Sequence, residues 1–225
     1  GGLLSVTIHK ELKLIRRDAT LLSQTLIQVL YLGVVFGAII FKNISDTNQW
    51  LKASAAALLV FLAGQLAGVF GWIVMSAEDA PELLAASPAA TRTLRRGKLI
   101  AAVIPVALVM AIPVAGLAWL DLWAGAGALV GCTAVAWSSG LLAIWFERPA
   151  KRSELRRRRN GSWIGLLIGA FVGMSWAGTA FLIALRLPWA LLALGPAIVG
   201  VVILGAVSKP ERSFAETLQM SQQAS

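Results

Sequence analysis

Seven charged side chains crowd into one short stretch, Ser76 to Lys98, which reads SAEDAPELLAASPAATRTLRRGK. Glu78, Asp79 and Glu82 open it; Arg92, Arg95, Arg96 and Lys98 close it. Their spacing speaks for docking rather than catalysis. Asp79 with Glu82 three residues on has the spacing of a capping box, and Pro81 falls in the first turn, where its missing N–H costs little. Leu83 and Leu84 continue that short helix. Ser87-Pro88 reads as a fresh cap and first helical position, from which a basic helix runs on. A short capped acidic helix, a break and a basic helix together read as a docking element. The plainer reading is that the acids only cap a surface helix and the arginines only fix topology, and the two readings are compatible.

No other group of residues offers an obvious reaction. There is no G-x-x-x-x-G-K-[ST], so the chain has no P-loop with which to bind ATP. G-x-S-x-G and H-E-x-x-H are also absent. His9 has no Cys or His neighbour at ligand spacing, and Cys132 is the single cysteine, so neither a metal site nor an intrachain disulfide is expected. These readings point away from an enzyme and from a cofactor held by this chain.

The elements that position the stretch are apolar. Of the 225 residues, 58% are hydrophobic and 14% charged, where a soluble domain carries about a quarter charged residues. Apolar runs of about 20 residues recur, the length that crosses a hydrocarbon core of roughly 30 Å. Long unalternating runs make helices rather than barrel strands. An all-α membrane protein with six spans is expected, at about 21–41, 53–75, 99–119, 125–145, 161–185 and 189–207. Together with the loop at 76–98 and a polar tail at 208–225, these form one domain over residues 1–225. Before the first span, Leu4, Ile8, Leu12 and Ile15 share one helical face, away from Lys10, Lys13, Arg16 and Arg17. This predicts a basic amphipathic helix over 4–18 lying in the membrane interface.

Within the spans, polar and small residues stand out. Gln24 and Gln28 share a face near one end of the first span, and Gln65 lies near mid-depth of the second. Such groups prefer a bundle interior to lipid, where they either glue helices or line a path. Gly64 and Gly68, Gly127 and Gly131, and the series Gly161, Gly165, Gly169 and Gly173 repeat at four-residue steps, the pattern that lets helices approach closely. None of the six expected spans has an ionisable residue in its middle third, which argues against a proton- or sodium-coupled transporter.

The net charge of +9 would suggest nucleic acid in a soluble domain. Here the bases sit beside spans. Lys42, Lys52 and Arg186 fall on one side of the six-span topology and the other seventeen on the opposite side, which predicts cytoplasmic termini and a cytoplasmic 76–98 loop. Trp50, Trp119, Trp123 and Trp189 mark the outer ends, and Trp145 and Trp163 the inner ones. The run Arg156 to Arg159 is expected to meet anionic lipid.

An amphipathic helix, two spans, a cytoplasmic loop of this kind and four further spans: this order resembles the permease subunit of type 2 ABC exporters. That family's loop after the second span has an acidic stretch, a Leu-Leu pair, Ser/Ala-Pro, then Arg and Gly-Lys leading into the third span. The matching residues are Glu82-Leu83-Leu84, Ser87-Pro88, Arg92, Arg95 and Gly97-Lys98. Lys10-Glu11, Arg16-Arg17-Asp18 and Glu78-Asp79-Ala80-Pro81-Glu82 look like a bacterial subgroup in which such a segment is the C-terminal half of a two-bundle chain. The chain starts Gly1-Gly2, which fits a fragment or a processed form. The resemblance implies a coupling helix that docks on a separate ATP-binding cassette subunit. That partner would carry the ATP and Mg, and the chain would sit in a bacterial inner membrane. It also implies a second bundle, from a homodimer or a missing N-terminal half, and alternating-access export. Two rivals stand beside it: a non-transporting membrane scaffold, and a membrane-embedded enzyme acting on lipids.

Overall fold

The structure is a computed structural model. It describes residues 48–76, 91–146 and 163–190, with single positions at 5, 8–10, 13, 23, 27, 30, 31, 33, 37, 194, 195, 198, 199 and 202. Its elements are four long helices: α1 (Gln49–Ser76), α2 (Thr91–Leu120), α3 (Leu122–Phe146) and α4 (Trp163–Ala184). No strand occurs among the described residues. Three stretches, Gln49–Gly71, Arg96–Leu120 and Leu122–Leu142, are long and apolar enough to cross a membrane, the mark of a membrane protein. The apolar stretch Gly169–Ala184 of α4 is shorter. The single positions before α1 and after α4 are helical. The expected interfacial helix at 4–18 and the spans at 21–41 and 189–207 otherwise lie outside the described residues, as do Gln24 and Gln28.

Helix boundaries follow local chemistry. Residues 49–52, expected in a loop, form the first turn of α1. Asn48 starts it: its Oδ1 accepts the N–H of Trp50 at 3.1 Å, and its carbonyl accepts from Leu51 and Lys52. The turn expected over 120–124 shrinks to Asp121 alone. Its N–H donates to Leu117 O and its carbonyl accepts from Gly125, both at 2.9 Å. Two helices can meet at a one-residue apex because Gly125 has no side chain; a methyl there would collide with the backbone of Ala118. Pro105 and Pro113 lie inside α2, where neighbouring helices and local adjustment compensate for the lost ladder bonds.

The helices run antiparallel in sequence. α1 and α3 form the central pair; α2 and α4 each pack on both of them and not appreciably on each other. On α1 the buried residues Ala53, Ala56, Val60, Ala63, Ala67, Phe70 and Val74 alternate steps of three and four, the spacing of a helix seam. α2 is peripheral: 33% of its spanning stretch is buried, against 56% for α1 and 61% for α3. Its outer face presents Leu108, Ile112 and Trp119.

Apolar side chains gain little from leaving lipid for a protein interior, so close packing has to hold such a bundle. The centre does this with a reciprocal pair of Gly–Val contacts. A methyl on Gly64 of α1 would lie 2.8 Å from Val135 Cγ2 of α3, and one on Gly131 of α3 would lie 2.5 Å from Val60 Cγ2 of α1. Both valines are fully buried. Gly127 faces α4, with the Ala180 carbonyl 2.8 Å from where its methyl would be.

The other expected packing glycines differ. Gly68 and Gly169 face open space, and Gly173 has only ordinary contact, with Phe61 at 3.7 Å. Within this chain the four-residue repeat on α4 meets no described neighbour at Gly169. The helix turns 3.6 residues per turn, so a strict step of four drifts around it. Gly161 lies outside the described residues; of Gly165, only its place in α4 is described.

Candidate functional site

The short acidic helix expected from Glu78, Asp79, Pro81, Glu82, Leu83 and Leu84, and the expected start of the basic helix at Pro88, fall within 77–90, outside the described residues. What is described is the frame that carries it. α1 ends at Ser76 and α2 begins at Thr91, so both ends of the segment are anchored in long helices. Arg92 and Arg95 belong to the first turns of α2, and Arg96 is exposed.

Lys98, the last base of the stretch, is buried rather than solvated. Only 7% of it is exposed, and its Nζ donates to the carbonyl oxygen of Val74 at 3.3 Å. That carbonyl belongs to the last turn of the described range of α1, Gln49–Ser76, and carbonyls in a helix's last turn take partners from outside the helix. A cation at a helix C-terminus also meets the negative end of the helix dipole. Lys98 thus joins the last turn of α1 to the early turns of α2, across the base of the 77–90 segment. Gly140 of α3 packs beside it in sequence terms: a methyl there would sit 2.5 Å from Leu99 Cδ1. The α2 start is held from two sides, by α1 through a polar bond and by α3 through close packing.

Polar side chains inside the bundle are few. Gln65 is half-buried on the side of α1 that also carries Leu58, Phe61 and the open Gly68. Between α3 and α4, the Trp176 indole N–H donates to Ser138 Oγ at 3.1 Å, and Ser138 Oγ donates to the Ala134 carbonyl at 2.7 Å. Trp176 and Ser138 are both buried. Thr179, 1% exposed, donates back to the Ser175 carbonyl. Among the described residues these groups form no set that could activate a nucleophile, and no cluster of three or more His, Cys, Asp or Glu is present to hold a metal.

The opposite end of the bundle carries an arrangement that sequence reasoning missed. Asp121 Oδ1 caps α3, accepting the N–H groups of Trp123 at 2.9 Å and Ala124 at 3.0 Å. Its Oδ2 lies 3.9 Å from Lys52 Nζ at the start of α1 and 3.9 Å from Arg186 Nη2 just beyond α4. The Arg186 guanidinium also lies 5.9 Å from the centre of the Trp123 ring. Trp50 meets Phe181 with ring centres 5.9 Å apart. Trp50, Trp119, Trp123 and Trp189 are all exposed around this same end, as an aromatic belt requires. In the sequence, Lys52, Asp121 and Arg186 stand in three separate connections. Only a fold that returns α1, α3 and α4 to one end brings them together.

No protein-family model, curated protein or solved structure matches this chain.

Proposed function

We propose that the chain is the permease domain of an ATP-driven ABC exporter, coupled through residues 76–98 to a separate ATP-binding subunit. The observation that carries this reading is the buried Lys98–Val74 bond. A coupling segment has to pass force to its spans. This one is flanked by two long helices that are joined at its base and packed into the central pair of the bundle. The resemblance of Glu82-Leu83-Leu84, Ser87-Pro88 and Gly97-Lys98 to the loop of type 2 exporters supplies the identity of the partner.

In this reading the chain has six spans, with the 76–98 loop and both termini in the cytoplasm of a bacterium. The Lys98 end is then the inner end and the Asp121 end the outer one. Seventeen of the twenty bases lie on the inner side. ATP and Mg belong to the partner. A second bundle faces this one across the path, with the exposed α2 face and the Gln65 side of α1 among the surfaces open to it. A membrane scaffold would use the same loop as a binding site without a path, and a lipid-modifying enzyme would need a polar cluster that the described residues do not form.

The test is affinity purification of the intact chain from its native membrane in mild detergent, with mass spectrometry of what accompanies it. A stoichiometric P-loop ATPase that is lost when Asp79 and Glu82 are both replaced by alanine is the expected result. Its absence, with the chain still folded, overturns the permease reading in favour of the scaffold.

A further inference from the structure

Arg186 occupies a position where glycine is the usual residue. The end of α4 is a Schellman turn: Leu187 N–H donates to Leu182 O at 3.1 Å and Arg186 N–H to Ile183 O at 2.9 Å. In this motif the residue at the Arg186 position adopts the left-handed conformation, and Arg186 has φ 58°. It is the one non-glycine residue with positive φ among the described residues. A side chain there is strained relative to glycine. Strain of this kind persists where the surroundings compensate for it, and it clusters at working parts of proteins. Here the side chain reaches Asp121 and the face of Trp123.

Asp121 is the meeting point of three elements. One carboxylate oxygen caps α3, and the other faces Lys52 of α1 and Arg186 of the α4 turn. Among the described residues neither base has another ion pair. The carboxylate is 14% exposed, Lys52 21% and Arg186 53%. Pairs at 3.9 Å with this much solvent are weak individually. They are strong enough to bias an equilibrium and weak enough to be broken within a working cycle.

We infer that Lys52, Asp121 and Arg186 form a gate latch that holds the ends of α1, α3 and α4 together and must part when the bundle opens at that end. The inference rests on the proposed reading only in requiring a bundle that opens and closes. It does not depend on the identity of the ATPase. Directly behind the latch lies Ala124, fully buried in the first turn of α3, which is the place to look for opening.

The test uses the full chain in proteoliposomes, with Cys132→Ala removing the native thiol and Ala124→Cys as reporter. A membrane-impermeant maleimide is present on both sides, so membrane orientation does not matter. Two variants separate latch from scaffold. Asp121→Asn keeps a capping oxygen for Trp123 and Ala124 and removes only the charge. Arg186→Gly relieves the backbone strain, so a merely structural role predicts a more stable protein and a reporter as protected as before. The latch predicts labelling about fivefold faster in each variant, from the loss of one or two exposed-type ion pairs. In Arg186→Gly the melting temperature is expected to be unchanged or higher. Unchanged labelling in both variants overturns the latch, as does a reporter already labelled rapidly with all three charges in place. Faster labelling without a co-purifying ATPase keeps the latch and removes the permease reading; an ATPase with unchanged labelling does the reverse.

Discussion

Lys98 reaches across the base of the 77–90 segment and donates from Nζ to the carbonyl of Val74, 3.3 Å away, with 7% of the lysine exposed. The two residues belong to the helices that carry the segment in and out of the bundle. This bond ties the two flanks of the segment together at a core residue, Val74.

Lys98→Met keeps much of the apolar stem and removes the donor and the charge. It should destabilise the protein by about 1–2 kcal/mol, from a lost charge-assisted bond at a helix C-terminus. In a complex reconstituted with the expected ATPase, hydrolysis should become less responsive to the permease. Detergent melting and ATPase assays on the same preparation check the two effects separately. Lys98→Arg should retain more coupling than Lys98→Met.

Asp79 and Glu82 test the loop itself. Replacing both with asparagine and glutamine keeps capping geometry and removes charge. If docking uses the charges, the ATPase is lost from the purified complex while expression and melting are unchanged. If the pair only caps a surface helix, the amide variant retains the partner.

The glycines divide into those that touch a neighbour and those that do not. Gly127→Ala would place a methyl 2.8 Å from the backbone oxygen of Ala180. It should lower stability by about 1–3 kcal/mol, the usual range for overpacking. Gly169→Ala meets open space and should be neutral or stabilising by up to about 1 kcal/mol, the propensity difference between the two residues. Denaturant titration of both variants in one detergent decides it. Equal losses would mean that α4 packs along its whole glycine series.

Ser138 and Trp176 form a buried hydrogen bond between α3 and α4. Ser138→Ala leaves the indole N–H without this acceptor and should cost about 1–3 kcal/mol. A double-mutant cycle with Trp176→Phe isolates the pair itself, with an expected coupling near 0.6 kcal/mol and at most about 1.7. A coupling of zero would mean that the indole finds another acceptor when Ser138 is truncated.

Much of the fold was legible because the bilayer imposes a length. Runs such as Ala53 to Met75 and Leu99 to Trp119 have one physical solution, and α1 and α2 contain them. Boundaries were less legible, since Asn48 and Asp121 set them by side-chain caps that a hydropathy pattern does not weigh. Glycine spacing identified candidates without choosing among them. Gly64 and Gly68 fit the same motif, yet only Gly64 faces Val135, because the choice depends on which face the partner helix takes. Gly125 and Gly140 belong to no repeat and still sit at close contacts. Lys98 read as one more base in a basic run, and its burial follows from the end of α1 lying beside it. Lys52, Asp121 and Arg186 were visible only as separate charges, since their meeting depends on the return of three helices to one end.

The one-residue apex at Asp121 bears on how the chain enters a membrane. Helices joined by a loop can insert one after the other, each stopping while the connection waits on the far side. Between α2 and α3 there is nothing to wait: Leu120 ends one helix and Leu122 begins the next. A pair joined this closely is expected to enter lipid together as a hairpin, with Asp121 at its tip. The apolar α2 then carries with it an α3 that bears Thr133, Ser138 and Ser139. Insertion of this pair is then expected as a single event, which a longer connection at Asp121 would turn into two.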